Sequence, residues 1–186
     1  MRLLIPLGTR PEIVKLAPVV HALAAGGFDL RTVATGQHYD PGLTDSFFDD
    51  LMVVPDVRWS IGGDEAQRVG EILTLAFREI AGQRPDAVVV LGDTYTVPLF
   101  CLAARRHGVP VVHLEAGLRS RNDRSVEETH RRLAAVAASL HLAPTALAAR
   151  NLRAEAVAEE RIRVVGNPGT LPGGWHSSPW CSSSRT

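Results

Sequence analysis

The sequence predicts an α/β fold, a doubly wound parallel sheet with helices on both faces, and three observations predict it. Apolar runs of strand length alternate along the chain with longer segments of helical periodicity. The clearest runs, Val88–Leu91 and Val109–Leu114, are apolar almost throughout instead of alternating with polar residues, as strands buried on both faces require. Both run into carboxylates: Gly92-Asp93-Thr94 follows the first and Glu115-Ala116-Gly117 the second. In an open α/β sheet the ligand crevice lies just beyond the carboxyl ends of the strands, so Asp93 and Glu115 are expected at one crevice.

Each element follows from its local pattern. Arg2–Leu7 reads as a buried strand. Pro11 opens a helix to about Ala25, its apolar face formed by Ile13, Val14, Leu16, Ala17 and Val20, with Pro18 predicting a kink. Gly26-Gly27 ends it. Asp29–Thr35 is a second strand, followed by the polar loop Gly36–Gly42, a short helix over Thr44–Leu51 and a weak strand over Val57–Ser60. Asp64 with Gln67 predicts a capping box for a helix running to about Gln83. Thr96 is the expected cap of the next helix, which ends near His107-Gly108. Ser125 with Glu128 predicts a second capping box, for a helix to about Ala138. Leu140–Ala143, a helix from Thr145 to about Arg153, and Ile162–Val165 complete a Rossmann-like set without internal repeats. The Gly169–Thr186 segment holds two of the three Trp, five Ser and no apolar period. It reads as a disordered tail after a domain of residues 1–168.

Bulk composition narrows the function classes. The 186 residues fit one domain with a sizeable core. A hydrophobic share of 45% with 22% charged residues is a soluble globular profile. Zero formal net charge gives no support for nucleic acid or an acidic membrane as partner. Cys101 and Cys181 form neither a disulfide framework nor a zinc spacing. Met1–Leu7 is too short for a signal peptide and no apolar run approaches a membrane span, so the expected compartment is the cytoplasm.

The candidate chemistry gathers at the strand ends. Gly8-Thr9-Arg10-Pro11 joins a strand to a helix, whose N-terminus suits a phosphate; Arg10 and Lys15 add full charges. A plain turn with solvated cations is the competing reading. The three-glycine dinucleotide fingerprint is absent, so NAD is not indicated. With Thr96 as the cap, Asp93 is free for function, and no helix start near Glu115 explains that carboxylate. Glu127 and Arg131 share a helix face at i,i+4, where a surface ion pair is the simpler explanation. His113, two residues before Glu115, reads equally as a core histidine or a proton shuttle. His38 is a weaker candidate. The other histidines show no ligand spacing, and no metal is assigned.

Six motifs then occur in order: Gly8-Thr9-Arg10-Pro11-Glu12 with Lys15; Thr35-Gly36-Gln37-His38-Tyr39-Asp40; Gly92-Asp93-Thr94; His113-Leu114-Glu115-Ala116-Gly117-Leu118-Arg119-Ser120; Glu127-Glu128 with Arg131; and Ala143-Pro144-Thr145. Over residues 1–168 the chain resembles the N-terminal domain of the non-hydrolysing UDP-N-acetylglucosamine 2-epimerases. The resemblance implies one half of a GT-B-like fold of two Rossmann-like domains. It also implies interconversion of UDP-GlcNAc and UDP-ManNAc by elimination and re-addition of UDP, with no cofactor and no metal. By that resemblance Arg10 and Lys15 hold the UDP-sugar, Asp93 and Glu115 contact the sugar as proton-transfer candidates, Glu127 is a further acid–base group and Arg131 its electrostatic partner. A homodimer is the family expectation.

The chain departs from the pattern in two places. Ser125-Val126 replaces the usual Met-Pro before the paired glutamates. After Gly166-Asn167 the hydrophobic stretch leading to the second domain is replaced by Gly169–Thr186, so a truncated or frameshifted gene is expected, with the isolated chain weakly active or inactive. Two alternatives remain open: a non-catalytic nucleotide-sugar-binding module completed in trans by a separate second domain, and an enzyme for a modified UDP-acetamido sugar or one of the hydrolysing type.

Overall fold

The computed structural model describes residues 1–36 and 48–170. The expected loop beyond Gly36 (with His38), the start of the Thr44–Leu51 helix and the expected disordered tail from Leu171 lie outside the described residues.

The elements run in the order β1 (Arg2–Leu7), α1 (Arg10–Ala25), β2 (Asp29–Ala34), β3 (Val57–Arg58), α2 (Glu65–Gln83), β4 (Ala87–Leu91), α3 (Thr96–Arg106), β5 (Val111–Leu114), α4 (Val126–Ala137), β6 (Leu140–Ala143), α5 (Ala146–Ala154) and β7 (Ile162–Val164). Short 3₁₀ turns cover Glu159–Arg161 and Pro168–Thr170. All seven strands are parallel, in the order β3-β2-β1-β4-β5-β6-β7. The order reverses between β1 and β4, which is the topological switch point where such sheets bind ligands.

Both faces of the sheet are buried, which explains the continuous apolar runs. On one face Leu4, Val88, Val90 and Val111 pack against Ile72, Ala76 and Ile80 of α2, Phe100 and Ala104 of α3 and Ala134 of α4. On the other, Leu3, Ile5, Leu7, Val89 and Leu91 meet Ile13, Leu16, Ala17 and Val20 of α1. A smaller cluster, Ala143, Ala148, Ala149, Leu152 and Ile162, seats α5. A buried Leu or Ile side chain contributes about 1.5–3 kcal/mol through removal from water, so these three clusters carry the fold.

Two local capping arrangements are present. Asp64 accepts from the Gln67 N–H at 2.9 Å and Gln67 Oε1 accepts from the Asp64 N–H at 2.8 Å, the predicted capping box. Thr145 caps α5 by accepting from the Ala148 N–H at 3.1 Å. α1 runs unbroken through Pro18. Two capping expectations are corrected. Thr96 is the buried first residue of α3 and makes no cap; its hydroxyl lies 3.4 Å from that of Thr35, because the start of α3 tucks against the end of β2. Ser125 precedes α4, but its hydroxyl donates to Glu127 at 2.5 Å, while Glu128 turns inward.

Candidate functional site

The β1–α1 turn is set by Thr9, extended at φ −101°, and by Pro11 in the first helical turn, where its missing N–H costs nothing. Glu12 reaches back to accept from the Thr9 N–H at 2.8 Å. This fixes the first turn of α1 and sends Lys15 across the sheet edge, where its Nζ donates to Glu115 Oε2 at 2.9 Å. The Glu115 side chain is only 4% exposed against 36% for Lys15, so the ammonium is the wet end of the pair. Glu115 sits at φ +59°, the left-handed region that costs a non-glycine residue on the order of 1–3 kcal/mol. Its Oε1 is buried and has no hydrogen-bond partner, leaving an acceptor available to a ligand.

The β4–α3 turn is pinned by side chains from two neighbouring elements. His113 Nε2 donates to the Gly92 carbonyl at 2.9 Å and His130 Nδ1 to the Asp93 carbonyl at 2.8 Å. With its backbone held, Asp93 extends its carboxylate to a short ion pair with Arg131 of α4. Arg131 is itself oriented by Glu128, 3.2 Å away. Glu128 is buried and accepts from the Ser120 N–H at 2.8 Å and the Ser120 hydroxyl at 3.1 Å. Burial pushes the Glu128 carboxyl up, but the Ser120 hydrogen bonds with Arg131 and the charge of Arg119 outweigh it and hold the group below its ordinary value.

Lys15 meets Glu115, and Asp93 meets Arg131, at adjacent strand ends on both sides of the switch point. Arg10 is the exposed first residue of α1 in the same turn. Glu127 is exposed at the start of α4, and the expected Glu127–Arg131 pair is replaced by Arg131 with Glu128 and Asp93. The physical reason is burial: Glu128 has left water and requires a cation, whereas Glu127 is solvated and bonded to Ser125. The hydrogen bond from the Ser125 hydroxyl holds the Glu127 carboxyl below its ordinary value, with weaker help from His130 and Arg131. His113 is fully buried and belongs to the core.

Sequence reasoning passed over Glu12. It is 6% exposed, and besides Thr9 it accepts from the Thr94 hydroxyl at 2.7 Å. Burial pushes its carboxyl up, against the lowering effect of the Thr9 and Thr94 hydrogen bonds. The Thr9-to-Glu12 spacing is that of a capping box, a local signal that could have found it. Among the described residues, no group of three or more His, Cys, Asp or Glu is placed to hold a metal ion.

A family model described as UDP-N-acetylglucosamine 2-epimerase matches residues 21–170. The chain belongs to the UDP-N-acetylglucosamine 2-epimerase family. It is 40% identical over 169 residues to the UDP-N-acetylglucosamine 2-epimerase of Methanocaldococcus jannaschii, covering 90% of this chain and 46% of the relative. It is 33% identical over 172 residues to the UDP-2,3-diacetamido-2,3-dideoxy-D-glucuronate 2-epimerase of Pseudomonas aeruginosa, covering 89% and 48%. The crystal structure of the M. jannaschii UDP-GlcNAc 2-epimerase in complex with UDP-GlcNAc and UDP superimposes with a TM-score of 0.85 at 40% identity, over 90% of this chain and 47% of that one. The chain thus spans about half the length of the epimerases it matches.

The Lys15–Glu115 pair supplies a first test. Lys15→Met leaves a buried carboxylate without its cation and should destabilise the fold by about 2 kcal/mol, discounted for the exposed ammonium. Adding Glu115→Gln removes the stranded charge, so the double variant should recover part of that loss in urea denaturation; strict additivity would show that the pair is not coupled.

Proposed function

We propose that this chain carries one half of the site of a UDP-N-acetylglucosamine 2-epimerase, in a domain of residues 1–168, acting on UDP-GlcNAc and UDP-ManNAc in the cytoplasm. The observation that carries the reading is the pairing of two carboxylates with two cations, Glu115 with Lys15 and Asp93 with Arg131, at the switch point of a parallel sheet. The C2 proton of the sugar is too weakly acidic for deprotonation alone. Coupling its removal to departure of UDP gives 2-acetamidoglucal; UDP then re-adds while a proton reaches the opposite face. Such a path needs a base, an acid and cations for the departing diphosphate. Asp93 and Glu115 are assigned to proton transfer at the sugar, Arg10 and Lys15 to holding the UDP moiety, Arg131 to electrostatic support of Asp93, and Glu127 to a further acid–base role reached by rotation of its exposed side chain.

A half site neither excludes water nor clamps a diphosphate, and loss of either costs orders of magnitude in rate. The chain alone is therefore assigned binding without measurable turnover, with a second domain completing the cleft and a homodimer as the assembled state. Calorimetric titration of UDP-GlcNAc into the purified chain, followed by a UDP-ManNAc assay with and without a separately expressed second domain, tests this. Binding alone, with turnover on mixing, is the expected result. UDP-ManNAc formed by the chain alone would overturn the half-site reading, and absence of UDP-GlcNAc binding together with absence of turnover on mixing would overturn the substrate. Likeness to the P. aeruginosa diacetamido-glucuronate epimerase favours a second reading, a modified UDP-acetamido sugar, which the same titration with that sugar nucleotide distinguishes.

A further inference from the structure

Glu12 holds no role in the chemistry assigned above, yet it is buried and reaches in two directions. Its contact with the Thr9 N–H is helix capping. Its contact with the Thr94 hydroxyl, 82 residues away in sequence, is not: an exposed glutamate would cap α1 equally well without the cost of leaving water. Thr94 directly follows Asp93. Glu12 lies one helical turn before Lys15, on the same face of α1 by the i,i+3 rule. The β4–α3 turn also rides directly on this carboxylate, since a Cβ built on Gly92 would stand 3.5 Å from Glu12 Oε1.

The geometry points to Glu12 as a positioning residue: it ties the turn that carries Asp93 to the turn and helix that carry Arg10 and Lys15. The two ion pairs thereby keep a fixed spacing at the sugar-nucleotide site. The role rests on the epimerase reading, but the tie between the turns does not. The Glu12 carboxylate bridges the β1–α1 and β4–α3 turns directly, in addition to the β1–β4 strand pairing beneath them, and reacting groups need placement to well under 1 Å.

The test uses the isotope-labelled full chain with Glu12→Ala, Glu12→Gln, Thr94→Val and Thr94→Ser. Thr94→Val changes only the β4–α3 turn, so displacement of the amide resonances of Thr9, Arg10 and Lys15 along with those of Gly92 and Asp93 is the expected result. Thr94→Ser, which keeps the hydroxyl, should restore both sets. Glu12→Gln, which can accept from Thr9 while its amide meets the Thr94 hydroxyl, should retain most of both. In the completed two-domain assembly, Thr94→Val should lower kcat up to about 10²-fold with KM nearly unchanged, a split that simple loss of folded protein would not produce. Resonance changes confined to residues around Thr94 would overturn the proposal. So would a kcat equal to that of the parent assembly. If the parent assembly itself shows no turnover, the epimerase reading fails, while the spectra still decide whether the turns are tied.

Discussion

Acidification from pH 6.5 to pH 4 should remove on the order of 3 kcal/mol of stability through His113, with a smaller further loss through His141. They are neighbours across the β5–β6 pairing, fully buried on one face of the sheet. Burial pulls the His113 imidazole down to about 4, opposed by its hydrogen bond to the Gly92 carbonyl and the charge of Asp93 and aided by Arg119. Burial likewise takes His141 down to about 4, aided by His113, Arg161 and Arg119. His113 Nδ1 and both nitrogens of His141 lie buried without a well-formed hydrogen bond, so the Gly92 and Ala138 carbonyls and the Asp93 charge only partly offset the desolvation of a proton gained in the folded state. The sign follows from proton counting. Between the two values the unfolded chain binds protons that the folded chain refuses, so stability is complete above pH 6.5 and is lost as the pH falls. Urea denaturation at stepped pH should show this slope, and His141→Leu should flatten it. An unchanged slope in His141→Leu would remove His141 from the account.

Gly117→Ala should be among the most damaging single substitutions, costing more than about 4 kcal/mol. Gly117 lies at φ +82°, and a Cβ there would stand 2.2 Å from the Ala148 carbonyl oxygen and 2.8 Å from its carbon. Both are backbone atoms of α5 that a rotamer change cannot move. The same glycine accepts at its carbonyl from Asn151 Nδ2 at 2.9 Å, which anchors α5 to the turn. Glu115, two residues earlier, is itself held at positive φ, so displacing this turn should also misplace the Lys15 pairing. Chemical denaturation checks the first effect. The second is checked by loss of UDP-GlcNAc binding under conditions where the variant is still folded. A Gly117→Ala chain as stable as the parent would show that α5 shifts freely, contrary to its packing on Ala143 and Ile162.

What was legible in the sequence was what depends on period and strand ends. β6 appears at Leu140–Ala143, as its apolar run requires, and Asp93 and Glu115 stand at the carboxyl edge because a parallel sheet leaves them nowhere else. What was not legible depends on burial or on distant partners. Arg131 had acidic neighbours at both i−3 and i−4, and spacing alone favoured Glu127; the inward turn of Glu128 decided otherwise. Thr96 looked like a cap because hydroxyls favour that position, but the position where it falls is against Thr35. Glu12 was missed although the Thr9-to-Glu12 spacing is a local capping signal, and its partner Thr94 could be found only by folding the chain.

The central place of β1 has a consequence for synthesis. β1 pairs with β2 within the first 34 residues, but its other edge is closed only by β4, at Ala87 and Val88. As the chain leaves the ribosome, more than fifty residues must follow β2 before that edge is covered, and until then the strand's unpaired amides and carbonyls are open to neighbouring nascent chains. The slowest step of maturation is therefore expected to be arrival of β4, and ribosome-bound chains stalled before residue 87 should be the species most prone to aggregate.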